Sequence, residues 1–144
     1  MAGSAADEME NDLADWIVGR TPSGHSALGA PSTTHYLALF TTTLDDGDAT
    51  VSDGTEVSGG SYARVAIGAS NFGTAASGGT IANDAEIAFA TATASWGTVE
   101  SWAIVEGNTG GTDPILFWCD DPSVAIGDGD TAKFASGELT VTVT

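Results

Sequence analysis

The chain has 144 residues, and 20 acidic against 3 basic side chains give it a formal net charge of -17 at pH 7. The length predicts a single domain, and the shortage of Lys and Arg disfavours nucleic acid as a partner, because phosphate contacts need cationic side chains. Cys119 is the only cysteine, which excludes an intramolecular disulfide and a cysteine-based zinc site and favours folding in a reducing cytoplasm. The longest apolar runs are far too short to span a bilayer, so no membrane partner is expected.

Residues 1–20 predict an amphipathic helix. Its apolar side chains recur at i, i+4, i+7 and i+8, the spacing of one helical face: Met9, Leu13, Trp16 and Ile17. Ser4 and Asp7 match a capping box at the start of the helix, and Gly19 supplies a stop at its end. Since the sequence predicts no second helix, we expect this apolar stripe to pack on the β-domain, on another subunit or on a larger assembly.

A β-rich region begins at residue 34, after a Gly-, Pro- and Ser-rich arm at 21–33. We therefore divide the chain into a helix with its arm, 1–33, and a β-domain, 34–144. Short runs of β-branched and aromatic residues between Gly, Asp, Asn and Ser predict seven strands: 35–43, 61–68, 84–91, 98–106, 114–119, 131–136 and 138–144. With no helical periodicity between them, these strands predict an all-β fold, an antiparallel β-sandwich or barrel.

Alternation within the predicted strands assigns the core. The apolar residues that share one face at a period of two are Leu37, Leu39, Val65, Ile67, Ile87, Phe89, Leu139, Val141 and Val143. Arg64 lies in the middle of a predicted strand on the opposite face, and in so acidic a chain we expect carboxylates around it. Glu56 or a neighbouring chain is the expected source, so the predicted role of Arg64 is a structural ion pair. His35, at the start of a strand, is expected at the surface or in a subunit contact.

Motifs that resemble catalytic or metal sites fail on their spacing. GHSALG at 24–29 is not a GxSxG nucleophile elbow, because its last glycine is one position late. A calcium loop starting at Asp46 lacks the Gly and Glu that such loops require. Glu100 and Glu106 would lie roughly 20 Å apart along one strand, too far for a glycosidase pair. We predict no catalytic, cofactor-binding or metal-ligating residue, while the Asp-rich turns leave adventitious cation binding open.

Four aromatic residues lie close together in the sequence, and in regular strands at least one ring of each close pair should point away from the core. They are Trp96, Trp102, Phe117 and Trp118. These rings form either a second core layer or a contact surface for another subunit or a sugar. Trp102 is the candidate contact residue, together with the apolar stripe of the helix.

Three segments are distinctive enough in sequence to indicate a family. They are EVSGGSYAR at 56–64, ATASWGTV at 92–99 with the Gly-rich turn 107–111, and DGDTAKFASGELTVTV at 128–143. In this order, the segments resemble a family of small virion structural proteins of tailed bacteriophages. Its members are commonly labelled tail fibre proteins, and some are similar to head decoration (cement) proteins. The resemblance covers nearly the whole chain.

The resemblance implies a non-enzymatic part of a virus particle, with a compact jelly-roll or sandwich fold. Such a protein assembles as a homodimer or homotrimer and clamps the major capsid protein on the outside of the head. It would be made in the host cytoplasm and located in the virion. A tail or fibre component is the alternative from the same particle, and a carbohydrate-binding module, supported by the aromatic residues alone, is the alternative from another class. No catalytic residue or cofactor carries over, and the scarcity of Lys departs from typical members.

Overall fold

The computed structural model of the chain describes residues 7–21, 34–75, 78–120 and 123–143. Most of the regular structure in this part is strand, paired in antiparallel sheets and preceded by one short helix, α1 (Asp7–Ile17). The prediction of an all-β fold with an N-terminal helix is therefore confirmed. Within these ranges, no helix is both long and apolar enough to cross a membrane.

The strands that follow α1 in the described residues are, in chain order, β1 (His35–Phe40), β2 (Val65–Ile67), β3 (Thr80–Ala82), β4 (Ile87–Ala88), β5 (Gly97–Val99), β6 (Ser101–Val105), β7 (Ile115–Cys119), β8 (Val124–Ile126), β9 (Lys133–Phe134) and β10 (Thr140–Thr142). A 3-10 turn at Val51–Asp53 lies between β1 and β2. Every predicted strand overlaps a strand of the structure. The sequence does not predict β3 and β8, and its predicted strand 98–106 spans both β5 and β6.

By packing, the chain forms two compact units, each assembled from segments that are distant in sequence. The sheet unit contains His35–Ala66 and Ala88–Lys133, and the helix unit contains Met1–Thr34, Ile67–Ile87 and Phe134–Thr144. The division of the chain into 1–33 and 34–144 stays a prediction.

The largest sheet has four strands in the order β2-β1-β6-β7. β1 pairs antiparallel with β6, which places Leu37 opposite Ile104 and Leu39 opposite Trp102. Nearly every side chain of β1 and all those of β6 are buried. Both faces of these two strands are therefore covered, which explains why their sequences are continuous apolar runs rather than alternating ones. β7 forms one edge of the sheet, and its apolar side chains are half-buried.

Three two-stranded sheets complete the pairing of the described strands: β3 with β10, β4 with β9, and β5 with β8. In the first of them Val141 lies opposite Ile81, and both are buried. Asn83 fixes the approach to β10: its Oδ1 accepts the N–H of Leu139 at 2.9 Å, and its amide donates to the carbonyl of Ala135 at 2.8 Å. A buried amide whose groups are bonded in this way stabilises the pairing instead of opposing it.

Most of the predicted core is buried in the structure. The residues that the alternation places correctly are Leu37, Leu39, Ile67, Ile87, Phe89, Leu139 and Val141. Val65 and Val143 are only half-buried. Val65 opens the short edge strand β2, and Val143 lies beyond the end of β10, so each has neighbours on fewer sides.

The helix ends at a glycine, as the sequence predicts. Gly19 has a φ of 80° and donates its N–H to the carbonyl of Trp16 at 3.0 Å, and Arg20 donates its backbone N–H to the carbonyl of Asp15 at 2.8 Å. These two bonds form a Schellman motif, in which glycine is favoured because it adopts left-handed backbone without steric cost. The predicted N-terminal cap at Ser4 lies outside the described residues.

Candidate functional site

The segment 56–64 reverses direction through three consecutive residues in the left-handed region: Gly59 with a φ of 74°, Gly60 with 54° and Ser61 with 65°. A residue with a Cβ adopts this backbone only at a cost, so the surroundings must hold Ser61 in place. One such contact is with Thr93, whose hydroxyl oxygen lies 2.9 Å from that of Ser61. The turn is therefore fixed by specific contacts.

The segment 92–99 is bonded directly to this turn. The carbonyl of Gly60 accepts the backbone N–H of Thr93 at 3.0 Å and the indole N–H of Trp96 at 2.9 Å. A Cβ on Gly60 would lie 2.9 Å from the carbonyl oxygen of Ala94, which leaves room for glycine alone. Two of the specific sequence segments, well separated along the chain, are thus neighbours in the fold.

A cluster of three aromatic rings anchors the turn. Tyr62 and Phe89 are stacked with ring centroids 6.0 Å apart, and Trp96 packs edge-on against them at 5.3 and 6.3 Å. Phe89 and Trp96 are buried. Each such ring pair contributes about 0.5–1.5 kcal/mol beyond the burial of its area. Trp96 therefore belongs to the core of the sheet unit.

Arg64 holds its charge inside the protein, with a side chain that is 3% exposed. Its Nε and Nη2 donate to the two carboxylate oxygens of Glu56 at 2.7 and 2.8 Å. Nη1 donates to Oδ2 of Asp113 at 2.6 Å and to the carbonyl of Gly107 at 2.5 Å, and Nη2 also donates to the carbonyl of Gly110 at 3.1 Å. Together these bonds occupy all of the guanidinium's N–H donors.

Glu56 connects the arginine to the large sheet. Its Oε1 accepts a hydrogen bond from the hydroxyl of Tyr62 at 3.0 Å, and the Tyr62 oxygen in turn accepts the backbone N–H of Leu39 in β1 at 2.9 Å. Burial raises the pKa of Tyr62, so its hydroxyl keeps the proton that it donates. Arg64 and Glu56, the two residues that the sequence pairs, thus lie in a bonded chain that reaches the sheet.

Asp113 fixes the turn 107–113 against the guanidinium. Its Oδ2 accepts the N–H of Gly110 at 2.7 Å in addition to Nη1 of Arg64. The hydrogen bond from Arg64 lowers the pKa of Asp113 below its ordinary value, and the hydrogen bonds to Glu56 raise the pKa of Arg64. Both Arg64 and Asp113 are therefore held in their charged forms at neutral pH.

We call the group of Arg64, Glu56, Tyr62 and Asp113 the Arg64 clasp. It joins the segment 56–64, the turn 107–113 and β1 through hydrogen bonds within the chain. Arginines that bind anions keep donors for the ligand, often two in parallel. Arg64 has none left, so the arrangement holds three segments together and offers no guanidinium donor to a substrate.

A cleft of about 290 Å³ opens beside the Arg64 clasp. Glu56, Tyr62 and Arg64 contribute to one part of its lining, and Ser58, Asn108 and Thr109 contribute to another. The last three residues are exposed. The cleft therefore combines one charged carboxylate with neutral polar side chains that are open to solvent.

The helix docks on its own unit through polar side chains. Oδ1 of Asn11 accepts the N–H of Gly79 at 2.8 Å, and Oδ1 of Asp15 accepts the N–H of Ala75 at 3.1 Å. Arg20 strengthens this attachment, since its Nη1 donates to the carbonyl of Phe72 at 2.9 Å. With the buried Ala14 and Val18, Asn11 and Asp15 form a stripe at i, i+3, i+4 and i+7 that faces the unit.

The predicted contact stripe lies on the other side of α1. At about 100° per residue, Leu13, Trp16 and Ile17 are centred roughly half a turn away from the docking stripe. All three are half-buried, and the indole N–H of Trp16 has no acceptor among the described residues. The side chain of Met9 lies outside the described part of the structure. The role of this stripe as a contact surface stays a prediction.

Trp102 lies within the large sheet, with Leu39 opposite it in β1 and Cys119 opposite it in β7. It is 5% exposed, and its ring centroid lies 5.9 Å from that of Phe117. In this conformation Trp102 offers little surface to a partner. Its assignment as a contact residue stays a prediction.

His35 corrects a prediction, because it is 2% exposed and neither ring nitrogen has a hydrogen-bond partner in the described structure. The sequence analysis expects it at the surface or in a subunit contact, because histidine is seldom fully buried. Burial lowers its pKa, an effect that the charge of Glu106 partly opposes.

Across the described ranges, no group of three or more His, Cys, Asp and Glu side chains is placed to hold a metal ion.

Sequence reasoning misses Tyr62 and Asp113 as members of the clasp. Tyr62 follows the left-handed turn, and nothing local indicates that its hydroxyl bridges Glu56 and β1. Asp113 carries a clearer signal, since it closes the Gly-rich run 107–111, where Asp commonly bonds backbone N–H groups. The pairing of that run with Arg64 depends on tertiary structure alone.

The described residues thus form a small β-rich structure, with a helix docked by polar groups and a buried arginine whose donors are all bonded within the chain. A sequence model of the family described as podophage GP4 fiber I protein gp80 matches residues 4–142. Because the match covers nearly the whole chain, the chain belongs to this family of phage virion structural proteins. Searches of curated proteins and of solved structures found no match.

Proposed function

We propose that this protein is a non-enzymatic structural subunit of a tailed-bacteriophage particle. The observation that carries the proposal is membership of the fibre I family over residues 4–142. The Arg64 clasp supports it, because the clasp holds the segments of the sheet unit in a fixed arrangement and keeps no guanidinium donor for chemistry. A rigid subunit of this kind suits a particle that must resist mechanical load.

Within the particle, the proposed role is that of a capsid decoration protein, which contacts the major capsid protein on the outside of the head. The apolar stripe of α1 supports this role, since Leu13, Trp16 and Ile17 lie on the side of the helix away from its docking contacts. Many weak contacts of this kind on a lattice add up through multivalency. A homodimer or homotrimer would multiply the stripes further, and forms part of the proposal.

A fibre component is the second candidate, because the description of the family names a fibre protein. In a fibre, the same stripe of α1 would bind a neighbouring fibre or tail subunit. A carbohydrate-binding module has less support, because Trp102 is 5% exposed and offers no open ring face to a sugar.

The location of the protein in purified particles tests the proposal. Electron microscopy with a specific antibody fragment, combined with quantitative mass spectrometry, gives its position and copy number. Decoration predicts many copies distributed over the head, whereas a fibre predicts few copies confined to the tail. If the protein is absent from purified particles, the structural role itself is wrong.

A further inference from the structure

The cleft beside the Arg64 clasp has lining residues that the clasp does not use. The clasp needs Glu56, Tyr62 and Arg64, but it makes no use of Ser58, Asn108 and Thr109 on the other part of the lining. These three polar residues are exposed on two loops that the clasp holds in fixed positions. The result is a small recess of about 290 Å³, in which these polar side chains lie beside apolar lining from Val57 and Ala63.

The hydrogen bonds of Glu56 leave one acceptor position open. A carboxylate has about four acceptor positions, two on each oxygen. Oε1 uses both, for Nε of Arg64 and the hydroxyl of Tyr62, whereas Oε2 accepts a single donor from the described residues, Nη2 of Arg64. The side chain of Glu56 is still 20% exposed, and it lines the cleft. The recess therefore presents a charged oxygen that lacks one donor.

The electrostatics of the site select a cationic donor. Glu56 and Asp113 carry two negative charges against the one positive charge of Arg64, and the chain as a whole carries -17. A field of that sign concentrates cations at the surface and repels anions. A single free position on Oε2 suits the compact point charge of a primary ammonium better than the planar two-pronged donor of a guanidinium.

We propose that this cleft binds a primary alkylammonium group, the side chain of a lysine presented by a partner protein. The ammonium donates one of its three protons to Oε2 of Glu56, and the side-chain oxygens of Ser58, Asn108 and Thr109 are the acceptors available to the other two. The alkyl stem lies along the Tyr62 side of the cleft. The assignment of the ammonium group to a lysine rests on the proposed structural role, because it supposes a protein partner in the particle. Binding of an ammonium group as such does not rest on that role.

Nα-acetyl-lysine-N-methylamide is the probe for this site, titrated into the full chain at low salt with amide shifts read by NMR. We expect saturable shifts at Asn108 and Thr109, and none with the norleucine analogue, which has the same stem without the charge. The variant Thr109→Val should weaken binding about fivefold through the loss of one hydrogen bond. Thr98→Val, which alters an exposed threonine on β5, should leave it unchanged.

Several outcomes would overturn the proposal. Equal shifts with the norleucine analogue would show that the charge plays no part, and unaltered affinity in Thr109→Val would place the probe elsewhere. Tighter binding of 1,4-diaminobutane than of the lysine probe would assign the cleft to a free polyamine. None of these results depends on where the protein lies in the particle, so failure of the cleft and failure of the structural role are separate findings.

Discussion

The guanidinium of Arg64 and the carboxylate of Glu56 meet in a two-pronged pair, with Nε 2.7 Å from Oε1 and Nη2 2.8 Å from Oε2. The two residues are eight positions apart, and the left-handed turn through Gly59, Gly60 and Ser61 lies between them. The left-handed turn brings the two side chains together, and the ion pair then keeps that turn closed. Each should therefore be sensitive to changes in the other.

Arg64→Met should lower the free energy of unfolding by about 3 kcal/mol, because it leaves two carboxylates and two carbonyls without their buried donor. Chemical denaturation followed by tryptophan fluorescence measures the change. Thr98→Glu is the matched control, since it makes the same change in net charge at an exposed residue of β5. If both variants unfold at the same denaturant concentration, the clasp contributes nothing beyond its charge.

The two glycines of the turn should respond differently to alanine. At Gly59, with a φ of 74° and no atom within 4 Å of the methyl group that alanine would add, the substitution should cost about 1–2 kcal/mol for left-handed backbone alone. At Gly60 the same methyl group would lie 2.9 Å from the Ala94 carbonyl oxygen and from Nε1 of Trp96, so the loss should be clearly larger. Thermal unfolding of both variants measures the difference, and equal losses would contradict the close packing seen at Gly60.

Much of the core follows from the sequence because alternation over five or more residues directly reflects burial, as at the buried Leu139 and Val141 with exposed Thr140 between them. The stop at Gly19 follows from local backbone chemistry. The clasp is only half predictable: Glu56 is close to Arg64 in sequence, but Asp113 is 49 positions away and contributes through tertiary contact. The burial of His35 is equally non-local, since its neighbours in the chain give no sign of it.

The docking of α1 differs most from expectation, because polar side chains hold the helix while its apolar stripe is half open. Asp15→Ala should loosen the helix, since Asp15 accepts the N–H of Ala75 and lies 3.6 Å from Nε of Arg20. Hydrogen exchange at the Ala75 amide should accelerate by about fivefold, the effect of one hydrogen bond. Unchanged exchange there would mean that the polar contacts do not fix the helix.

The apolar stripe should matter for assembly rather than for folding. The double variant Trp16→Ser with Ile17→Ser leaves the docking contacts of Asn11 and Asp15 in place. We expect it to keep its cooperative unfolding but to bind particles that lack the protein more weakly, as deletion of residues 1–20 should also do. Cosedimentation with such particles measures binding. Full occupancy by either variant would remove the stripe from the proposed contact surface.

Acid should destabilise the protein by protonating His35 before it protonates Asp113 of the clasp. Burial lowers the pKa of this imidazole from 6.5, so the unfolded chain binds a proton more readily than the folded one. The neutral buried ring thus contributes fully above the unfolded value, and its contribution falls as the pH drops through and below 6.5. Asp113, whose pKa is lowered by Arg64, loses its contribution only in a more acidic range. His35→Phe, which cannot titrate, should therefore lose less stability than the parent chain between about pH 7 and pH 5. Parallel denaturation curves at each pH measure this difference, and an identical pH dependence in the two chains would mean that His35 is hydrated or bonded in solution.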